Sequence, residues 1–497
     1  MENKSLCERL SDTLEGLFIK FRLPFLSGII LGLFAHGYCF TNKLLNADET
    51  AALFSKGADV TSGRWGLVLS GAIFPDMSMP WIYGIISVVL LSAAACVAVE
   101  AFALKSPLLK VLTAGAMLVF PAQTGTFCFM YTSAPYALAV LLAVLTVYLC
   151  KRGGKLRYVL ACLFMALSLL IYQAYISITA SFFIILLLQM LSEDDAETKK
   201  VIVTAVKYFA VLLVSLGIYL AITTVVKNVG GSGYQEYDTF AEGGILYRVR
   251  IAYSSFVRVF VSGYFGFVNS TLSLIAHIVC AAVVIAAAVT AIKKQRDLIS
   301  SAVMVILLIL FPLSINCLYI IASVDIIHSV SQFGFLSVYF LTAAAADSLI
   351  GRAVIWRDGA VGALAVIVIC NIFFANEVYL KMFLEYENAY AFYNTLMMQV
   401  METPGFNSET IIDIVGNESR TDYDLDRIDT KNLTGPNGNL VDSYTRCDFI
   451  KYYLGLDLYI YREDIIWADW FYDMPTYPDS GSIVMREDEN RIIVKLS

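Results

Sequence analysis

Long apolar runs follow one another through the first 378 residues and constrain the fold more than any other feature. A bilayer core about 30 Å thick is crossed by about 20 apolar residues in a helix. Lipid supplies no hydrogen-bond partners, so each crossing segment must satisfy its own backbone groups. Only 15% of the residues are charged and 58% are apolar, unlike a soluble domain. The sequence therefore predicts a polytopic α-helical membrane protein.

The apolar runs predict eleven spans, at 24–40, 80–104, 108–121, 135–150, 157–172, 174–191, 201–226, 270–291, 298–321, 332–350 and 359–376. The polar residues 1–23 are not followed by a small-residue cleavage site, which predicts a cytoplasmic leader and a retained first anchor. With the N-terminus inside, the cytoplasmic segments hold 17 Lys and Arg residues and the opposite loops hold 7. This positive-inside bias predicts a transmembrane domain at 24–378 and places residues 379–497 outside.

Residues 379–497 differ in composition from the spans, since they hold 10 basic and 21 acidic residues beside many aromatic and aliphatic ones. Residues 411–415, 482–485 and 491–496 have the pattern of strands, and 486–490 the pattern of a hairpin turn. Residues 449–461 fit either a helix or a strand. The segment is long enough for a small α/β domain outside the cytoplasm.

The first predicted outer loop, residues 41–79, carries two adjacent carboxylates, Asp48 and Glu49. A carboxylate in partly desolvated surroundings gains basicity and can deprotonate a hydroxyl. Arg64 in the same loop offers a planar guanidinium for a phosphate. The alternative is structural, because acidic residues also stabilise the N-terminus of a short helix. The residues alone support both interpretations equally.

Two further predicted outer segments carry hydroxyls and aromatic rings. Residues 123–136 are uncharged but contain several Thr, Ser and Tyr residues, which favour an interfacial aromatic belt over sugar binding. Tyr172, Gln173 and Tyr175 lie where spans five and six meet. A glutamine among apolar residues needs a hydrogen bond, which either a neighbouring helix or a substrate can supply.

The loop 227–269 contains three arginines on the side where basic residues are otherwise scarce, namely Arg248, Arg250 and Arg258. Arg250 and Arg258 are eight residues apart, so both fit one face of an interfacial helix. A role with an anionic group and snorkelling toward lipid headgroups are equally supported.

No other chemistry leaves a clear pattern. Asp325 and His328 have a one-turn spacing, but two ligands are too few to predict a metal site. The ten cysteines show no paired spacing, and no phosphate-binding glycine motif or hydrolase motif is present. The pI near 5.2 and the lack of a basic patch argue against a nucleic-acid partner.

The chain resembles the Gtr-type membrane glucosyltransferases of bacterial O-antigen modification clusters over nearly its whole length. The resemblance rests on motifs in a fixed order: Phe40-Thr41-Asn42-Lys43 with Asn46 and Asp48, Gly63-Arg64-Trp65, Tyr172-Gln173-Ala174-Tyr175, and residues 477–481 leading into 492–496. Ala47 stands where the family often has a second polar residue, so the resemblance leaves open which of Asp48 and Glu49 is the general base.

The resemblance implies a GT-C-like fold in the bacterial cytoplasmic membrane and a polyprenyl-phosphate-linked glucose donor. A donor-synthesising transferase and a small flippase would deliver the donor through the membrane lipid, and a surface glycan would accept the sugar. No cofactor or metal is expected, because the leaving phosphate is already anionic, and transfer would invert the anomeric centre. Candidate phosphate ligands are Arg64, Arg248, Arg250 and Arg258; candidate substrate contacts are Asn46, Trp65, Tyr172, Gln173, Tyr175, Asp325 and His328.

Two alternatives remain at the level of sequence. A transporter or flippase of a lipid-linked saccharide would use the same polar residues along a pathway. Transport sites usually place ionisable residues within spans, whereas here they gather in the predicted outer loops, and Glu100 and Lys207 lie only near span ends. An envelope scaffold whose C-terminal domain binds a partner would leave the loop residues replaceable.

Overall fold

In the computed structural model, the structure describes residues 6–51, 53, 64–70, 73–74, 77–193, 196–230, 244–261, 263, 266–294, 298–322, 328–349, 354–417, 433, 440–461 and 469–497, except for the side chains of 6–14 and 227–230. Helices make up most of this part of the chain. The helices of the first half are α1 (Leu6–Thr41), α2 (Ala47–Ala51), α3 (Trp65–Ser70), α4 (Pro80–Ala101), α5 (Pro107–Leu118), α6 (Pro121–Cys128), α7 (Met130–Arg152), α8 (Lys155–Ile171) and α9 (Ile176–Ser192).

The second half continues the helical bundle and ends in a small sheet. Its helices are α10 (Thr198–Gly230), α11 (Ile245–Val261), α12 (Thr271–Lys294), α13 (Leu298–Ile315), α14 (Leu318–Ile321), α15 (Ser337–Ser348), α16 (Val354–Glu402), α17 (Arg446–Tyr452) and α18 (Asp469–Tyr472). Its strands are β1 (Ile411–Val415), β2 (Tyr459–Ile460), β3 (Ile483–Arg486) and β4 (Arg491–Lys495).

Within the described residues, nine helical segments are long and apolar enough to cross a membrane. The prediction of a multi-pass helical membrane protein is therefore confirmed. All eleven predicted spans coincide with helices, but α8 has 17 residues and Phe333–Ser348 is also short for a crossing. The number of crossings and the side faced by each loop stay predictions.

Prolines mark where several helices of the bundle begin, and small residues explain how two of the helices pack together. Pro80, Pro107 and Pro121 occupy the first turns of α4, α5 and α6, where a missing N–H costs nothing. The predicted span 108–121 therefore corresponds to α5 and ends at Pro121, the first residue of α6. The tightly packed pair α4 and α7 buries alanines from both helices, which lets the backbones approach closely: Ala94, Ala95, Ala98, Ala139 and Ala143.

The C-terminal sheet has the strand order β2-β1-β4-β3. β1 is parallel to β2 and β4, while β3 and β4 form the predicted terminal antiparallel hairpin. The ambiguous segment 449–461 contains the end of α17 and the strand β2. α16 runs without interruption across the predicted domain boundary at residue 378 and reaches Glu402.

Contacts between loops define two ends of the helical bundle. We call one the Lys105 end, formed by residues 102–106, 152–155 and 347–349, where the carboxylate of Asp347 accepts a hydrogen bond from the backbone N–H of Lys105 (2.5 Å). We call the other the Asp48 end, formed by residues 42–50, 128–136, 172–175 and 328–333, together with the C-terminal domain packed on it. The described residues of the predicted cytoplasmic loops lie at the Lys105 end, and those of the predicted outer loops lie at the Asp48 end.

Candidate functional site

The short helix α2 positions both candidate carboxylates. Asn46 precedes α2, and its side-chain oxygen accepts a hydrogen bond from the backbone N–H of Glu49 (2.7 Å). The same side chain donates to the carbonyl of Cys128 (2.7 Å), at the end of α6. Asn46 is thus a buried N-cap that fixes α2 against α6.

Glu49 is fully buried and has several partners. Its carboxylate forms an ion pair with Lys43 and accepts hydrogen bonds from the Ser78 hydroxyl and the backbone N–H of Tyr131 (3.3 Å). A buried charge is tolerated when it is paired and hydrogen-bonded in this way. Glu49 therefore ties the first loop to the beginnings of α4 and α7.

Asp48 points in a different direction, toward the C-terminal domain. It is exposed, and its Oδ1 accepts a hydrogen bond from the Tyr444 hydroxyl (2.9 Å). Within the described part of the chain, this is the only hydrogen bond on the Asp48 side chain. Burial, and then the negative charge of Asp48, raise the pKa of Tyr444, so its hydroxyl keeps the proton that it donates.

Arg64 lies at the start of α3 among three tyrosines. Its guanidinium donates to the Tyr136 hydroxyl (3.3 Å), and its central carbon lies 5.1 Å from the centre of the Tyr172 ring. The rings of Tyr136 and Tyr172 stack at 4.5 Å, and Tyr175 packs edge-on against Tyr172 at 5.2 Å. These rings hold the guanidinium of Arg64 in a defined position at the Asp48 end.

Tyr131 connects the carboxylates with this arginine. It follows α6 at the start of α7, and besides its backbone contact with Glu49 it interacts electrostatically with Asp48, Glu49 and Arg64. The fold therefore brings the predicted base and the nearest predicted phosphate ligand into one neighbourhood. A carboxylate and a guanidinium so placed can take up a proton and stabilise a leaving anion.

Comparison with protein families gives one match. Residues 37–343, more than half of the chain, match the family described as glucosyl transferase GtrII. The chain belongs to this family. No curated protein and no solved structure matches it. The resemblance to Gtr-type glucosyltransferases is confirmed, and the protein is a glucosyltransferase with several membrane-spanning helices.

The other motif residues of this GtrII-family chain lie around the same end. Gln173 sits in a 3-10 turn between α8 and α9, and its amide donates to the Tyr219 hydroxyl (2.9 Å) on α10. The structure therefore contains the hydrogen bond to a neighbouring helix that was one of the two interpretations of this glutamine. Trp65 is half-buried against the core of the bundle.

The three arginines of α11 occupy two different environments. Arg250 and Arg258 are exposed, in agreement with their predicted shared face, whereas Arg248 is buried. α11 packs on α13 and α14, where the Ser255 hydroxyl donates to that of Tyr319 (3.0 Å). These arginines therefore stand on a different element from Arg64.

The loop that holds the last two candidates is partly described. Asp325 lies outside the described residues, and His328 is half-buried directly before a 3-10 turn (Ser329–Ser331). The hydroxyls of Ser331 and Tyr172 are hydrogen-bonded at 2.6 Å, so this turn joins the arginine site. Among the described residues, no group of three or more His, Cys, Asp or Glu side chains has the arrangement of a metal site.

Sequence reasoning missed several residues of the site. Lys43, Ser78, Tyr131 and Tyr444 contact the carboxylates, and Tyr136 contacts Arg64. For two of them, Tyr131 and Tyr136, the sequence did offer a signal, because segment 123–136 is rich in hydroxyl groups. Buried polar side chains in or near this segment also have an atom without a hydrogen-bond partner among the described residues, among them Gln123, Ser329 and Gln332. Such atoms often mark the place of a ligand or an ordered water.

Proposed function

We propose that this glucosyltransferase moves a glucosyl group from a polyprenyl-phosphate donor to a hydroxyl of a surface glycan. Transfer takes place at the Asp48 end, which faces the outside of the bacterial cytoplasmic membrane. The family membership and the positions of Asp48 and Arg64 around Tyr131 support this proposal. A donor-synthesising transferase and a small flippase supply the donor from the cytoplasmic leaflet.

The general base in this proposal is Asp48. Glu49 is enclosed by Lys43 and two hydrogen-bond donors, so a substrate hydroxyl has no room to reach it. Asp48 is exposed and engages one donor, which leaves it lone pairs for a substrate proton. The difference in burial between the two neighbours is the observation that carries this assignment.

The chemical step is a direct displacement. Asp48 accepts the proton of the acceptor hydroxyl, and the oxygen attacks the anomeric carbon of the donor. The bond from that carbon to the phosphate oxygen breaks, and the phosphate leaves with the electron pair. Arg64 stabilises the charge on this leaving group. Because no side chain attacks first, the configuration at the anomeric carbon is inverted.

Arg64 suits this role because its position is fixed before the substrate arrives. The stacked Tyr136 and Tyr172 rings and the Tyr136 hydroxyl hold the guanidinium. Preorganised charge stabilises a developing anion without reorganisation during the reaction. A phosphate monoester already carries charge, so a guanidinium is sufficient in this proposal and a metal is not required. Arg250 and Arg258, exposed on α11, are placed to receive the lipid-borne phosphate earlier.

The test is transfer of label from radiolabelled polyprenyl-phosphate-glucose to a cell-envelope fraction by the purified full-length protein. We expect Asp48→Asn to lower the rate by about 10²–10⁴-fold, the usual contribution of a general base. The control is Asp358→Asn, which changes an exposed carboxylate near the start of α16, and it should transfer normally. Full activity of Asp48→Asn would remove this base, and movement of intact donor without label transfer would favour a carrier.

A further inference from the structure

The C-terminal domain contributes side chains to the Asp48 end, although the family match stops before it. Leu45, just before α2, is 1% exposed and belongs to the hydrophobic core of this domain, together with Phe449 and Ile450 of α17. α17 thus docks on the segment that carries Asp48. We call the junction between α2 and α17 the seam.

Tyr444 makes the polar contact across the seam. Its hydroxyl donates to Asp48 (2.9 Å), yet 45% of the residue is exposed. A donor on one oxygen limits the directions in which the carboxylate can point. The accessible part of the ring is left for another molecule. Tyr444 is therefore placed to orient the base and to contact whatever approaches it.

A second tyrosine of the domain, Tyr453, directly follows α17. Tyr453 stacks on Phe449 at 5.4 Å and interacts electrostatically with Glu49. Its hydroxyl is buried, and the described residues offer it no hydrogen-bond partner. Burial, followed by the charge of Glu49, raises the pKa of Tyr453, so the hydroxyl stays a donor. An unpartnered buried hydroxyl costs free energy that a bound hydroxyl would recover.

We propose that the C-terminal domain forms the acceptor side of the site: a sugar of the acceptor binds in the seam against Tyr444 and Tyr453, and Tyr444 orients Asp48. This inference rests on the proposed function, because it takes Asp48 as the base. Tyr444 is a positioning residue in this arrangement, since it acts through the carboxylate.

The chemistry of the seam favours an uncharged sugar. Tyrosine rings offer apolar surface and their hydroxyls donate hydrogen bonds, which matches the mixed surface of a sugar ring. Asp48 and Asp442 supply negative charge beside Tyr444, whereas the charge of Glu49 is paired with Lys43. An anionic ligand would be repelled from the seam, so the phosphate of the donor stays with Arg64.

The first experiment measures steady-state transfer by full-length Tyr444→Phe, which loses only the hydroxyl. We expect kcat to fall roughly tenfold, because a misaligned base slows the reaction, while KM for polyprenyl-phosphate-glucose stays unchanged. Tyr459→Phe, on the exposed strand β2 of the same domain, is the matched control and should equal the wild type. A structural fault in the domain would instead change both parameters and the melting temperature.

The second experiment measures binding without turnover. The delipidated polysaccharide fraction of the cell envelope is titrated into the Asp48→Asn protein in the absence of donor. Adding Tyr444→Ala to this protein should raise the Kd several-fold, and adding Tyr459→Ala should not.

Three outcomes separate the two proposals. A lower kcat for Tyr444→Phe and a weaker Kd for Tyr444→Ala support the acceptor side assigned here. Wild-type kinetics and binding in both Tyr444 variants, with Asp48→Asn inactive, overturn the acceptor side and leave the proposed function intact. Full activity of Asp48→Asn overturns the proposed base and the positioning role of Tyr444 together.

Discussion

Two neighbouring acidic residues have different roles because a helix turns their side chains to different sides. Asp48 and Glu49 are consecutive in α2, and consecutive helical residues do not share a face. Glu49 points into the protein, where Lys43 neutralises it, and Asp48 points to the seam and Tyr444. Burial and partners, more than residue type, distinguish the structural carboxylate from the proposed base.

At the scale of single residues, the ion pair between Lys43 and Glu49 leads to a prediction about the stability of the fold. Lys43→Met leaves a fully buried carboxylate without its cation, which should destabilise the fold by about 3–5 kcal/mol. Lys20→Met breaks the exposed pair with Glu100 (2.7 Å) and should cost less than about 1 kcal/mol. Thermal unfolding of the detergent-purified protein, followed by fluorescence, compares the two. Equal melting temperatures for the two variants would contradict the structural role of Glu49.

At the scale of elements, the arginine site depends on how α3 docks on the end of α8. Gly66 in α3 lies directly against the backbone of Ile171, the residue before Tyr172. A glycine allows this approach because it has no Cβ. The close contact sets the position of Arg64 over the Tyr172 ring.

Gly66→Ala should therefore displace α3 and lower activity. The added Cβ would lie 2.7 Å from the Ile171 backbone nitrogen, which cannot move aside like a side chain. We expect transfer to fall at least tenfold through misplacement of Arg64. Gly217→Ala, in α10 with nothing within 4 Å of the new Cβ, should keep full activity. The label-transfer assay compares the two variants. Transfer at the wild-type rate by Gly66→Ala would contradict the prediction, because it would show that α3 tolerates the added methyl group.

At the scale of the whole molecule, the fold sorts polar groups to two ends of an apolar bundle. The candidate carboxylates, Arg64 and the C-terminal domain share one end, and the predicted cytoplasmic loops share the other. A lipid-borne donor and a sugar hydroxyl can meet only at an end of the bundle, where lipid borders water. The proposed function thus requires the Asp48 end to face away from the cytoplasm.

This requirement is tested by labelling single cysteines in spheroplasts with a membrane-impermeant maleimide. Glu409→Cys, exposed near the C-terminal sheet, should react in intact spheroplasts. Lys155→Cys, exposed at the start of α8, should react only after permeabilisation. The unsubstituted chain, with its native cysteines, gives the background. The reverse pattern would place Asp48 in the cytoplasm and exclude the proposed reaction.

The sequence by itself determined the class of fold and the family. Apolar runs of bilayer length can satisfy their backbone only as helices, so all eleven predicted spans fall on helices. Alternation and turn residues likewise predicted β1, β3 and β4. These signals are local, and neighbouring residues along the chain carry them completely.

Only the tertiary structure decided which acidic residue is enclosed and what surrounds Arg64. Glu49 meets Ser78, 29 positions away, and Asp48 meets Tyr444, 396 positions away. Periodicity carries no information about such partners, because they depend on how separate helices and the C-terminal domain pack. The environment of a charge, and hence its chemistry, is set by those distant neighbours.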